Sequence, residues 1–339
     1  MRIVVTGAAG MLGTALLSGP WAGVDWTGVD IRPLTVDADF VQADVRDTDA
    51  MARAFQHADV VIHSAAALPS NRSAEIRSVD VDGTASVVAA AKRAGVGRLV
   101  HISSTAVYGL PRHCPTPEDY PCEPVDAYSG AKLEAERIVL RARAEGLCAP
   151  ILRPKTFLGP ERLGLFAMLF EWADEGRNFP LLGGGDVRTQ MLDVDDLCVA
   201  VRLVCERPET VVNDTFNIGA ARFGTLREDF QAVLDAAGHG RRIVTVPVGP
   251  AVAILRGLAA LRLSPVYARL VHKLRRDSYV SIDKAVDRLG FVPRVSNIEA
   301  LLKTYAWWRG TAADRRRPAG TTHRDPWRQG ALRLAKALF

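Results

Sequence analysis

Cysteine is scarce and scattered. The 339-residue chain has five, at Cys114, Cys122, Cys148, Cys198 and Cys205, with no CxxC spacing and no histidines at metal-ligand spacing. That pattern excludes a disulfide scaffold and a zinc site of paired cysteines, and no metal is expected. Free thiols in a reducing cytoplasm are the simplest account. No stretch reaches about 18 uninterrupted apolar residues, so no membrane-spanning helix is expected. The start, MRIVVTGAAG, lacks the apolar region and cleavage site of a secretory signal. A basic stripe is also missing: the formal charge is +5, but the excess collects in the arginine-rich stretch from Arg309 onward. The body is close to neutral, and no nucleic-acid partner is expected. What remains is 48% hydrophobic and 24% charged residues, an ordinary globular composition in a chain long enough for one large domain or two unequal ones.

The first pattern present is a β-branched run, Met1 to Thr6, that ends in Gly7-Ala8-Ala9-Gly10-Met11-Leu12-Gly13 and continues into helical TALLSG. Strand, glycine turn and helix form the context of a dinucleotide site. Gly7 and Gly10 let the backbone turn tightly against a pyrophosphate, whose charge a helix N-terminus favours, and Gly13 lets helix pack on strand. The next strand, VDWTGVDIRP, ends in Asp30 about 20 residues later, where a carboxylate accepts from the adenosine ribose hydroxyls and repels a 2′-phosphate. NAD is therefore expected over NADP, with Arg32 as a competing phosphate partner.

The alternation continues through FVQAD (40–44), the helix DTDAMARAFQ, the strand DVVIHSAAA, the helix SVVAAAKRAG and the strand RLVHISS. This rhythm predicts parallel α/β units. Ligands in such sheets bind outside the carboxyl ends of the strands, where Gly7, Asp30, Asp44, Ala65 and Ser104 fall.

Beyond RLVHISS comes Ser103-Ser104-Thr105-Ala106-Val107-Tyr108-Gly109, then Tyr128-Ser129-Gly130-Ala131-Lys132. Tyr128 and Lys132 stand one helical turn apart, on one face. A phenol with an ordinary pKa of about 10 is a poor base at neutral pH, and a neighbouring ammonium favours its ionised form. SSTAVYG followed by YxxxK, behind GxxGxxG, resembles the extended short-chain dehydrogenase/reductase family, the NAD-dependent epimerase/dehydratase group. The similarity runs over about residues 1–308 and takes in ILRPKTFLGP, GGGDVRTQMLDVDDL, FNIG and RLGFVP.

The resemblance implies an α/β fold: a Rossmann-type doubly wound parallel sheet with a smaller C-terminal substrate-binding region. Residues 1–150 would form the NAD-binding core, with core elements also from about 151–220. Residues 151–308 would mainly bind substrate, and 309–339 would be a basic linker with an amphipathic helix. It implies Tyr128 as base, Lys132 as its activator and Ser104 as orienting donor. NAD would contact Gly7, Gly10, Met11, Leu12, Gly13, Asp30, Ile31, Asp44, Val45, Ala65, Ala66, Ala67, Tyr128, Lys132 and Pro154. Ser104, Thr105, Lys155, Thr156 and Arg188 would meet a nucleotide-sugar substrate, expected to be UDP-linked, with Arg188 on its diphosphate. A cytoplasmic homodimer is expected. Asn217 is expected to fix a turn at a strand end.

Family dehydratases carry an acidic pair before VYG. Thr105-Ala106 stands there instead, so 4-epimerisation through a 4-keto intermediate is the expected reaction. The alternatives are a one-way dehydrogenase, reductase or dehydratase on a sugar or other secondary alcohol, and a non-catalytic NAD-binding protein. Two further departures are Asp80, where the family has Asn, and Lys155-Thr156, where an Asn is usual near the substrate. Lys155 stands open between meeting a ligand anion and being a paired core-edge lysine. The apolar stretch 251–276 is expected to be a buried helix pair rather than a lipid-binding surface. The C-terminal helix WRQGALRLAKALF is expected to dock on protein rather than on anionic lipid.

Overall fold

A computed structural model describes residues 1–19, 21–161, 166–247, 249 and 276–311. The expectations for 251–275 and for the C-terminal helix lie outside the described residues. Six strands open the chain: β1 (Arg2–Thr6), β2 (Asp25–Asp30), β3 (Asp39–Gln42), β4 (Val60–His63), β5 (Arg98–Ile102) and β6 (Ile151–Pro154). Short strands follow: β7 (Phe157–Leu158), β8 (Phe179–Leu182), β9 (Leu192–Asp193), β10 (Thr215–Ile218) and β11 (Ile243–Val246). One seven-stranded sheet has the order β10-β6-β5-β4-β1-β2-β3, and every pairing in it is parallel. The doubly wound α/β fold read from the sequence is the one observed. Two of the seven strands come from beyond residue 150, including the FNIG strand, which closes one edge.

A sheet buried on both faces reads as continuous apolar strands, and β1 and β4 do so. On one face Ile3, Val5, Val100 and Ile102 pack with α1 (Met11–Ser18) and, after several intervening helices, with Leu197, Val201 and Val204 of the helix Val194–Glu206. On the other face Val4, Val61 and Leu99 pack against α2 (Thr48–Ala54). Beyond α3 (Ser73–Arg77), the same face is covered by α4 (Gly83–Ala94) and α5 (Ala127–Ala144).

The strand order reverses between β1 and β4, the place where the carboxyl ends of neighbouring strands open a crevice. Apart from the two cores on the sheet faces there is a separate aromatic cluster of Phe166, Phe170, Trp172, Phe179, Phe230, Tyr305 and Trp308. Its helices are α6 (Phe166–Asp174), the one after α7 (Val194–Glu206) and α8 (Glu209–Val212), namely α9 (Leu226–Ala237), and α10 (Asn297–Gly310). Since α10 runs to Gly310, the boundary expected at 309 falls inside a helix. Among the described residues no helix is long and apolar enough to cross a membrane.

Candidate active site

The glycine turn follows from backbone geometry. Gly7 has φ +74°, and a Cβ there would lie 2.6 Å from the Ala65 amide nitrogen at the end of β4. A Cβ on Gly13 would lie 2.5 Å from Ala8 Cα. Only glycine fits both places, so the β1 turn lies directly against the loop after β4. Gly10 caps α1 without a side-chain hydrogen bond, which leaves the first turn, Met11, Leu12 and Gly13, to present its amides as a helix N-terminus does. This is a cradle that side chains would fill, and it fits a pyrophosphate.

Asp30 ends β2 and is 8% exposed. Its carboxylate accepts from the Ala9 and Arg32 amides, both at 3.0 Å. Arg32 folds back over the turn, donating to the Ala9 carbonyl at 3.3 Å with Nε 3.7 Å from Asp30. Ile31 beside it is 60% exposed, an apolar surface at the strand end. Asp44 lies past the end of β3 and is bound by Arg46 through its amide and Nε, each at 2.9 Å. The Arg46 guanidinium holds the Asp44 carboxyl below the usual range. Val45 is buried against Gly83. Ala65 is half-buried, Ala66 exposed and Ala67 buried in the loop after β4.

The second half of the site is assembled by α5. Asp126 caps it, accepting the Ser129 amide at 2.8 Å while Ser129 Oγ accepts the Asp126 amide at 3.1 Å. That start places Tyr128 in the first turn and Lys132 in the second. Lys132 is 3% exposed, and its Nζ donates to the Ile102 carbonyl at 3.3 Å, at the end of β5. Ser104, two residues on, accepts the Ala106 amide at 3.1 Å, leaving its own hydroxyl proton to donate. Tyr128 packs half-buried against Ala67, Ile76, Val81 and Ala131. Two segments distant in sequence, the turn that follows Ser104 and the start of α5 with Tyr128 and Lys132, thus pack together, and Lys132 reaches the carboxyl end of β5.

Tyr108, the other tyrosine nearby, is not an exposed phenol. Burial pushes it up to about 12, and its hydroxyl donates to Asn217 Oδ1 at 2.8 Å. Asn217 also donates to the Thr116 carbonyl at 3.1 Å, so it ties β10 to the loop after Tyr108. It therefore serves the structure as expected, from within the strand rather than from a turn.

The 104–108 turn carries no carboxylate. Thr105 Oγ1 points to the Pro154 carbonyl at 3.4 Å and Ala106 is buried. Past Pro154, Lys155 is 5% exposed and donates to Ser278 through its carbonyl oxygen at 2.9 Å and its Oγ at 3.1 Å. Thr156 is half-buried, its carbonyl accepting from Leu192. Arg188 lies on the exposed surface, with Nε 3.0 Å from an Asp277 oxygen and Nη2 2.6 Å from the Tyr279 hydroxyl. Its neighbour Thr189 has the covered hydroxyl, which lacks a hydrogen-bond partner among the described residues.

Sequence reasoning missed the support beneath the site. Glu136, one turn beyond Lys132, is fully buried and binds Arg153 of β6 through both oxygens, at 2.9 and 2.7 Å, and also takes the Ser103 hydroxyl. Its place at i+4 from Lys132 on the buried face of α5 was the available signal.

Comparisons with known proteins fit this geometry. Residues 3–219 match the family model described as the NAD dependent epimerase/dehydratase family. A Sinorhizobium fredii protein named y4nG is 35% identical over 301 residues, 87% of this chain and 74% of that one. A dTDP-glucose 4,6-dehydratase from Streptomyces antibioticus is 29% identical, covering 94% of this chain and 97% of its own. Among solved structures, a Streptomyces venezuelae dTDP-glucose 4,6-dehydratase with NAD bound is 25% identical, with a TM-score of 0.75 over 92% of this chain and 98% of that one. The UDP-glucose 4-epimerase of Thermotoga maritima, 24% identical with a TM-score of 0.75 over 92% and 99% of the two chains, shares the fold. Glycine cradle, buried strand-end aspartate and helix-borne Tyr/Lys pair therefore have a common explanation: the chain belongs to the NAD dependent epimerase/dehydratase family.

Proposed function

We infer that this protein is an NAD-dependent nucleotide-sugar 4-epimerase. The observation that carries the reading is Lys132, buried with its ammonium on the Ile102 carbonyl, beside a turn that offers Ser104 but no carboxylate. The glycine cradle would hold the pyrophosphate, Asp30 the adenosine ribose, and Ile31, Asp44 and Val45 the adenine side. Ala65 to Ala67 and Pro154 would border the nicotinamide. When bound, the dinucleotide supplies hydride acceptance and donation.

The chain's own residues do the rest. Tyr128 takes the hydroxyl proton of the sugar and later returns it. Lys132 stabilises the phenolate by its charge, and Ser104 donates to the substrate oxygen and orients it. Elimination of water would need an acid and a base at the leaving group and the neighbouring carbon, and the 104–108 turn provides neither. Thr105 and Thr156 would line the sugar side, with Lys155 behind them. Arg188 would meet the diphosphate in competition with Asp277, a bidentate contact suited to guanidinium. The protomers would pair as a homodimer.

Stoichiometry tests the reading. Incubated with a panel of uridine-, thymidine-, guanosine- and cytidine-linked sugars, the enzyme should interconvert C4 epimers with no net formation of NADH. Sustained NADH release, or a 4-keto-6-deoxy product, would replace 4-epimerisation with a one-way reaction.

A further inference from the structure

The Arg188 guanidinium is already held, and by one carboxylate above all. Asp277 Oδ1 accepts the Arg188 amide at 2.9 Å, and Oδ2 lies 3.0 Å from both Nε and Nη2 of the guanidinium. Among the described residues, each polar contact of the Asp277 carboxylate goes to Arg188. The guanidinium also lies over the Tyr279 ring, 4.6 Å from its centroid, and Nη2 donates to the Tyr279 hydroxyl at 2.6 Å.

The backbone that carries Asp277 is fixed from three sides. Ser278 donates its amide to the Arg188 carbonyl at 2.8 Å, and its own carbonyl takes the Gln190 amide at 3.1 Å and the Lys155 ammonium at 2.9 Å. The Val280 amide donates to Gln190 Oε1 at 2.9 Å. Thr116 closes the third side: its amide donates to the Tyr279 carbonyl at 3.1 Å, and its carbonyl accepts the Ser281 amide at 3.0 Å. None of these bonds involves the Asp277 carboxylate. The two charged side chains are open to water, 51% exposed for Arg188 and 38% for Asp277. The ion pair can therefore open by side-chain rotation while the strand beneath it stays in place.

An ion pair this exposed is weak enough to exchange, since such pairs are worth at most about a fivefold preference. A diphosphate brings more negative charge than one carboxylate and meets a guanidinium with the same forked geometry. We propose that Asp277 is an internal competitor for the substrate diphosphate: before substrate arrives it holds the Arg188 guanidinium, and the diphosphate takes its place on binding. The inference rests on the reading of Arg188 as the partner of the diphosphate. Affinity for a diphosphate is lowered in proportion to the time Arg188 spends on Asp277, and the carboxylate recaptures the guanidinium as product leaves.

Calorimetric titration of the NAD-loaded protein with UDP, dTDP, GDP and CDP tests the exchange. Asp277→Asn keeps the size of the side chain and an acceptor for the Arg188 amide but removes the charge. The nucleoside diphosphate that wild type binds best should bind this variant about three- to fivefold tighter, with NAD affinity unchanged. Arg188→Ala should bind it more than about tenfold more weakly, and adding Asp277→Asn to Arg188→Ala should recover nothing. A gain of equal size in the Arg188→Ala background would mean that Asp277 acts by repulsion alone, and it overturns the proposal. No gain in Asp277→Asn, beside a clear loss in Arg188→Ala, also overturns it and leaves the diphosphate reading intact. Arg188→Ala binding as tightly as wild type, or no binding of any of the four diphosphates, overturns that reading and the proposal with it. Should Asp277→Asn not fold, Asp277→Ser is read by the same criteria.

Discussion

Replacing Glu136 with alanine tests how the site is held. In the native chain both Glu136 oxygens bind Arg153, and the pair is almost wholly shielded, with side-chain exposures of 1% and 8%. Arg153 also donates to the Tyr108 hydroxyl at 2.8 Å and the Glu118 carbonyl at 3.1 Å. Glu136→Ala would leave a guanidinium buried without its counter-charge and the Ser103 hydroxyl without its acceptor. Breaking one side of such a pair costs about 3–5 kcal/mol, against a typical total stability of about 5–15 kcal/mol. At about 2 °C per kcal/mol for a chain of this size or somewhat smaller, Tm should fall by about 6–10 °C. The double variant Glu136→Met, Arg153→Met removes both charges together and should lie within about 2 kcal/mol of wild type. Urea unfolding of wild type, Glu136→Met, Arg153→Met and the double variant measures the cycle, with Glu136→Ala read beside them. A loss under about 1 kcal/mol in Glu136→Ala, or a double variant that costs the sum of the singles, would refute the claim that the pair locks α5 to β6.

Two further outcomes follow from the same structure. Asp30 should make NAD bind more than about fivefold tighter than NADP, the equivalent of about 1 kcal/mol, and Asp30→Ala should shrink or invert the ratio because Arg32 then loses its carboxylate partner. Calorimetric titration with both dinucleotides checks it, and an unchanged ratio would sink the assignment. His63 is held at about 3, first by burial and then by the Lys132 charge, against an ordinary 6.5. The unfolded chain therefore binds a proton as pH falls through about 6.5 while the folded chain does not, so stability is lost below that pH at up to about 1.4 kcal/mol per unit per histidine. Urea midpoints at about pH 7 and about pH 5.5 should differ in that direction, and His63→Asn should flatten the difference.

The parts of the site that lie within one strand–turn–helix unit were legible in the sequence. Gly7 to Gly13, Asp30 and the Tyr128/Lys132 spacing each announce a local geometry, and the structure puts Gly7 and Asp30 at the ends of β1 and β2 and Lys132 against the end of β5. Long-range partners were not legible. Nothing near Arg188 signals that Asp277 and Tyr279, some ninety residues away, occupy its guanidinium. The burial of Asp80 depends on how a π-helical turn packs under α5, which no periodicity encodes. Lys155 was ambiguous because one ammonium serves a ligand or a backbone carbonyl equally well, and the Ser278 contacts appear only once the chain has folded. The placement of β10 beside β6 likewise depends on non-local pairing, and FNIG alone gives a strand without a neighbour.

The most direct test of the central claim is product analysis of Tyr128→Phe. The substitution removes one oxygen and keeps the ring that packs on Ala67, Ile76, Val81 and Ala131, so the fold and NAD binding should survive nearly intact. With the sugar nucleotide that wild type interconverts, the variant should show no epimer above background while its thermal shift with NAD matches wild type. Turnover by Tyr128→Phe within about tenfold of wild type would contradict the assignment of Tyr128 as the base, since a positioned general base contributes about 10²–10⁴-fold.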